Sequence, residues 1–299
     1  MENTGFGCKI NRVYFGCFSY ADDLALLAPS KEALQGLINK CQEFFENRGI
    51  EISTNQDVKK TKTKILIFGL KTKPSPFLLN GKALPTVVSW QHLGHLLHQD
   101  GSPRHDMDEK RRAIIGRIHN LQQELGNQDP TVYFALFRSY VFHLYGCQLW
   151  DISADVCNKL WAVWNRTIKL AYDLPHATHR YLLNDLVSQD HIKKLVIKRF
   201  TKFHQTINNS DILQVRMLNI IQSKDLRSTY CRNINHTLYV AGVRSMSEVN
   251  FSNITINPVP PVFEWRVPLL RSLLIDRQFG SDILTRDEIN LIITEICVN

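Results

Sequence analysis

Along the first seventy residues, apolar and polar positions change period twice, from strand to helix and back. In "RVYFGCF" (12–18), Val13, Phe15 and Cys17 would line one face of a strand, with Tyr14 and Phe18 on the other. A strand apolar on both faces is normally covered on both sides. "LALLA" (24–28) has the same character, and the short polar tip between the two runs predicts a hairpin. The period then becomes helical: Leu34, Leu37, Ile38, Cys41, Phe44 and Phe45 recur on one face, with Ser30 placed as N-cap and Gly49 as the residue after the stop. "TKTKILIFG" (61–69) returns to strand, giving the order strand, strand, helix, strand.

Residues 70–100 read as two short strands about Asn80-Gly81, a pair suited to the positive φ of a tight hairpin turn, followed by "QHLGHLL". From about residue 104 the pattern is helical. One helix each is predicted for 106–125, 130–149, 155–173 and 190–204, with Trp150, Trp161 and Trp164 as core. Beyond residue 205 the pattern weakens and is broken by "NPVPPV" (257–262). The expected fold class is therefore α+β, a small mixed N-terminal part followed by a mostly helical remainder.

Composition narrows the function classes. An apolar fraction of 44% and a charged fraction of 21% are those of a soluble globular chain. Seven scattered cysteines without a C-x-x-C speak against a disulfide framework or a zinc finger, and for a reducing, intracellular compartment, nucleus or cytoplasm. The best apolar run, 132–150, contains Arg138 and His143 and reads as a buried helix, so no membrane span is expected; the N-terminus lacks a signal-peptide apolar region. A net charge of +8 favours a polyanionic partner.

The chemistry-bearing candidate is Asp22-Asp23, set between the two apolar strands. A carboxylate pair on a rigid hairpin tip offers hard oxygens of the kind magnesium takes together with substrate phosphates. A bare Asp-Asp pair is better read as a solvated turn, and its flanks reverse that reading. "YADDLALLAPS" strongly resembles the active-site hairpin of non-LTR retrotransposon reverse transcriptases. "KTKILIF" (62–68) resembles the lysine-bearing strand after the palm helix, "FLLNGKAL…WQHLG" the primer-grip hairpin, and "YVFHLYGCQLW" the apolar thumb helix. The ending "EICVN" is similar to a natural retrotransposon terminus. The likeness covers most of 13–200 and, more loosely, the tail.

The resemblance implies a partial palm with the carboxylate hairpin over 1–69 and a primer-grip-like hairpin over 70–100. A helical thumb-like region over 101–205 and a mostly helical tail over 206–299 would follow. It implies Asp22 as principal metal ligand with Asp23 as its partner, Lys62 near the incoming nucleotide's phosphates, and Leu93 and Gly94 in the primer grip. Two magnesium ions, an RNA template, a DNA primer and deoxynucleotides belong to the intact family enzyme. Two positions depart from the pattern: His92 stands where an aromatic is usual, and "NQDVKKTK" (55–62) is long enough to make Lys60 a competitor for the Lys62 role. The larger departure is that no strand bearing the family's earlier catalytic Asp, and no fingers, have counterparts in these residues. The expectation is a truncated, inactive reverse transcriptase domain with an incomplete metal site. The alternatives are a non-enzymatic nucleic-acid-binding remnant, and a mixed fragment without present function.

Two basic segments bear on binding. Lys59, Lys60, Lys62, Lys64, Lys71 and Lys73 crowd one stretch, readable as a solvated strand edge or a phosphate-binding stripe. "IKKLVIKRFTKFH" (192–204) reads first as the polar face of an amphipathic helix and second as a nucleic-acid contact. His176 and His179 are too isolated to predict a metal site. With the family's neighbouring palm strand missing, strand 12–18 is expected to leave an open apolar edge and to promote self-association.

Overall fold

The computed structural model describes residues 5–54, 61–69, 74–126, 129–141, 144–187, 190–254, 260–261 and 264–298. It is an α+β chain dividing into two compact units, Met1–Asp106 with Asn209–Ile220, and Met107–Asn208 with Ile221–Asn299.

The first unit is built from paired short strands and one helix. β1 (Lys9–Ile10) pairs with β2 (Val13–Tyr14), and β3 (Cys17–Tyr20) with β4 (Asp23–Leu26), both antiparallel. α1 (Lys31–Glu46) follows, with the Ser30 hydroxyl accepting from the Ala33 N–H at 3.2 Å as the N-cap pattern requires. β5 (Ile65–Leu66) runs parallel to β8 (Thr86–Val87). β6 (Phe77–Leu79) and β7 (Lys82–Leu84) form the expected hairpin about Asn80-Gly81, whose φ values of 50° and 71° suit a type I′ turn. β9 (Ser89–His92) and β10 (His95–His98) form a further hairpin.

The strand, strand, helix, strand order is present, but the described strands pair two by two, and no ladder joins β5 to β3 or β4. The packing unit is α1 laid on β6 and β4, with Leu37, Ile38 and Cys41 buried. Ile38, Ile65, Phe77, Leu79 and Leu84 form its core, with Leu26, Leu34, Ile52 and Ile67 against it. Gln35 fastens the helix to β6: its amide donates to the Leu78 carbonyl at 2.7 Å and accepts from the Leu78 N–H at 2.9 Å. Gln42 accepts from the Asn80 N–H at 3.1 Å. Phe6 lies flat on α1 at Gly36, where a Cβ would stand 2.8 Å from its ring.

Strand 12–18 differs from its expected form. Asn11 and Arg12, at φ 46° and 70°, turn the chain back at the start of the run, and the run itself divides at Phe15-Gly16, between β2 and β3. The edge expected to lie open is met by Cys8, which accepts from the Phe15 N–H at 2.8 Å and donates to the Leu27 carbonyl at 3.0 Å. Nor is the hairpin covered on both faces: Phe15 is buried, while Phe18, Tyr20, Leu24 and Leu27 are exposed.

The second unit is helical. The divisions between the units fall within α2 (Arg104–Leu125), between residues 208 and 209, and within α7 (Leu213–Lys224). α3 (Pro130–Leu136), α4 (Asp155–Ala171), α5 (Arg180–Leu186), α6 (Ile192–Asn208), α8 (Thr229–Ala241), α9 (Arg266–Phe279) and α10 (Arg286–Val298) surround one apolar core. The predicted helix 130–149 is not continuous. After α3 the chain widens into a π turn at Phe137–Val141, and Gly146, at φ 79°, precedes a 3-10 turn at Cys147–Leu149. Trp150, Trp161 and Trp164 are core, as expected. Residues beyond 205 join the same core: Leu270, Leu273, Ile289, Ile293 and Ile296 cluster with Phe137 and Trp164.

One polar clamp holds the entrance to α4. The Asn233 amide donates to the Trp150 carbonyl at 2.6 Å and accepts from the Ile152 N–H at 2.9 Å. Arg232 places Nε and Nη2 on Asp151 Oδ2 at 2.9 and 2.6 Å. Cutting the Asn233 side chain leaves a buried carbonyl and a buried N–H without partners, each costing about 1–3 kcal/mol. Asn233→Ala is therefore expected to lower stability by about 2 kcal/mol or more, read as the shift in urea midpoint; a change below about 0.5 kcal/mol would show that the clamp carries no weight.

Candidate functional site

The β3–β4 hairpin presents both candidate carboxylates. Tyr20 pairs with Asp23, leaving Ala21 and Asp22 as a two-residue loop. Of these two only Ala21 has positive φ, at 52°, which is the type II′ pattern normally met by glycine at that position. An alanine there is strained by about 1–2 kcal/mol. Asp22 and Asp23 are exposed. Side chains alternate along β4, so Leu26, which packs against the α1 core, lies on the face opposite Asp23. The strand is thus anchored through one face and presents the acid on the other.

The other predicted residues divide between placed and not described. Lys59 and Lys60 lie outside the described residues, as do Lys71 and Lys73. Lys62 is exposed, next to Thr61, which is buried and donates to the Thr63 carbonyl at 3.3 Å. Lys64 Nζ sits 3.9 Å from the centre of the Trp90 ring, a cation–π contact that ties this strand to β9. Leu93 and Gly94 are the two turn residues of the β9–β10 hairpin, at φ 47° and 77°. A leucine in the left-handed region is unusual, and it sets an apolar side chain, 38% exposed, at the hairpin tip. Among the described residues no hydrogen bond or ion pair joins Asp22 or Asp23 to Lys62 or Lys64.

α6 spends part of its positive charge inside the fold and keeps part on its surface, where Lys198 is exposed. Lys194 pairs with Asp190 at 3.2 Å, Arg199 donates to the Leu144 carbonyl at 2.6 Å, and Lys193 is half-buried, which lowers its pKa. Lys202 remains exposed. His179 stacks on Tyr181, and the His176 carbonyl accepts from Lys169; neither ring joins a metal-ligating group among the described residues.

The structure adds a group absent from the sequence reading. His98, Asp100 and His105 bring three ligand atoms within 4.8 Å of one another, and among the described residues they are the one His/Cys/Asp/Glu cluster of three that does so. The Asp100 carboxyl is held well below the usual carboxylate range by the Ser102 N–H, then by His105 and His98. The available signal was "HQDGSPRH", an H-x-D-x4-H spacing across a glycine turn into a helix.

No family model, curated protein or solved structure matches the chain.

The strain at Ala21 has a measurable consequence. Ala21→Gly removes the clash of Cβ at positive φ and gives back part of the gain as unfolded-chain entropy. A rise in stability of up to about 1 kcal/mol is expected in denaturant unfolding; a loss of 1 kcal/mol would show that the turn does not hold Ala21 in this conformation.

Proposed function

We propose that these residues form palm and thumb parts of a reverse transcriptase of the non-LTR retrotransposon kind. The parent reaction is template-directed addition of deoxynucleotides to a primer 3′ end. The observation that carries the reading is the Tyr-Ala-Asp-Asp hairpin: two solvent-facing carboxylates, Asp22 on a two-residue turn and Asp23 opening the strand after it, anchored through the opposite strand face, next to a strained non-glycine residue. Strain kept at such a position is a common mark of a working site.

The donor set of Asp22 and Asp23 fits magnesium in type, since both offer hard, exposed oxygens. When bound, magnesium would supply charge neutralisation to a phosphate undergoing in-line displacement. Asp22 and Asp23 would hold it, Lys62 would meet nucleotide phosphates, and Leu93-Gly94 with the Lys64–Trp90 contact would support a primer strand. Among the described residues no third ligand of the His/Cys/Asp/Glu type converges on the Asp pair. The second reading is a non-enzymatic nucleic-acid-binding remnant, favoured by the net charge of +8 and by the exposed Lys62, Lys198 and Lys202.

Primer extension on an RNA template with Mg²⁺ is expected to give no product with residues 1–299 alone. Product that disappears in Asp22→Asn would overturn the incomplete-site reading. Binding to single-stranded or hybrid nucleic acid is expected to weaken steeply with salt. Replacing Lys59, Lys60, Lys62 and Lys64 by Gln should flatten the dependence of log K on log salt by about 0.7 for each phosphate no longer neutralised. An unchanged slope in anisotropy titrations would remove the lysine cluster from the interface.

A further inference from the structure

We propose that His98, Asp100 and His105 form a binding site for one divalent transition-metal ion of the zinc class, separate in residues and in chemistry from the Asp22-Asp23 hairpin. His98 Nδ1 lies 2.8 Å from Asp100 Oδ1, and His105 Nε2 lies 2.9 Å from Asp100 Oδ2. The two imidazoles stack with centroids 3.7 Å apart and planes 25° from parallel, each presenting a nitrogen to the same carboxylate. Ligand atoms around a tetrahedral zinc at about 2.0–2.2 Å stand roughly 3.3 Å apart. The two nitrogen–oxygen separations are therefore within about half an ångström of that spacing.

Ordered backbone holds the group. His98 ends β10, where the Gln99 N–H donates to the Val88 carbonyl at 2.9 Å. Gly101, at φ 69°, donates to the His98 carbonyl at 2.9 Å, and Asp100 Oδ1 accepts from the Ser102 N–H at 2.9 Å. His105 follows in the first turn of α2, where Arg104 N–H donates to Ser102 Oγ at 3.3 Å. Each ligand is thus set by an element end or a bonded turn, the kind of mount a metal site needs. The side chains remain 22%, 47% and 38% exposed for His98, Asp100 and His105, so an ion can reach them from solvent and keep water in its remaining positions.

The donor types select the ion. Two imidazole nitrogens and one carboxylate oxygen suit Zn²⁺, Ni²⁺, Co²⁺ or Cu²⁺, whereas Mg²⁺ and Ca²⁺ take oxygen ligands. Binding needs the two imidazoles to turn and part from the carboxylate by about half an ångström, a side-chain adjustment open to groups this exposed. The bound ion would pin the end of the β9–β10 hairpin to the first turn of α2.

Zn²⁺ and Co²⁺ are the probes, with the full chain. Calorimetry is expected to show one Zn²⁺ per chain, undisturbed by a large excess of Mg²⁺, and a rise in thermal midpoint with added Zn²⁺. The Co²⁺ complex is expected to show ligand-field bands without the intense near-ultraviolet absorption of thiolate ligands. His98→Ala and His105→Gln should each weaken Zn²⁺ binding at least tenfold and remove the thermal shift, with far-ultraviolet circular dichroism unchanged. His176→Ala should bind as the parent does. Absence of one-to-one binding, undiminished affinity in both ligand variants, displacement by Mg²⁺, or a thiolate band would each overturn the site.

Discussion

Four tight turns in the first unit force at least one residue each into positive φ, and these turns set every antiparallel pairing there among the described residues. Strands of two to four residues have too few ladder bonds to select their own register. The turn must do it: Asn11-Arg12, Ala21-Asp22, Asn80-Gly81 and Leu93-Gly94 decide which side chains face the helix and which face solvent. The carboxylate pair is one product of this constraint, since a one-residue slip at Ala21 would move Leu26 off the core and Asp23 toward it.

The legibility of the fold follows the chemistry of these turns. Asn80-Gly81 could be read directly, because both residues tolerate positive φ at little cost. Asn11-Arg12 could not, since arginine carries no such signal, and the apolar run that it opens, "RVYFGCF", suggested one strand where the chain divides it at Phe15-Gly16. In the helical unit α4 and α6 follow the apolar period closely, as α1 does in the first. The segment 130–149 misled for a physical reason. It is apolar nearly all round, so periodicity gives no phase, and Gly146 marked a reversal that the composition concealed. The tail was underrated because its core positions are spaced among polar residues, although Leu270 and Ile293 are as buried as the tryptophan cluster.

The candidate sites differ in the same way. Asp22-Asp23 was legible through its flanking residues, and its geometry agrees with a two-residue turn. Charge counted along a sequence ignores where it is spent: on α6 Arg199 and Lys194 are engaged with Leu144 and Asp190, while Lys198 and Lys202 stay exposed. The His98–Asp100–His105 group depends on a β-strand end and a helix start coming together across a glycine turn. Its donors are borderline in softness and those of the hairpin are hard, so the two donor sets differ in the class of ion they suit.

Gln35 has a consequence beyond fastening α1. By exchanging both hydrogen bonds with Leu78, its amide occupies the position a further β-strand would take beside β6. A side chain cannot propagate a ladder, so the pairing stops there. The β6 edge, with its β-prone, partly exposed sequence "FLL", is thereby withdrawn from templated growth with strands of neighbouring molecules. The cap on this edge of β6 is one uncharged amide.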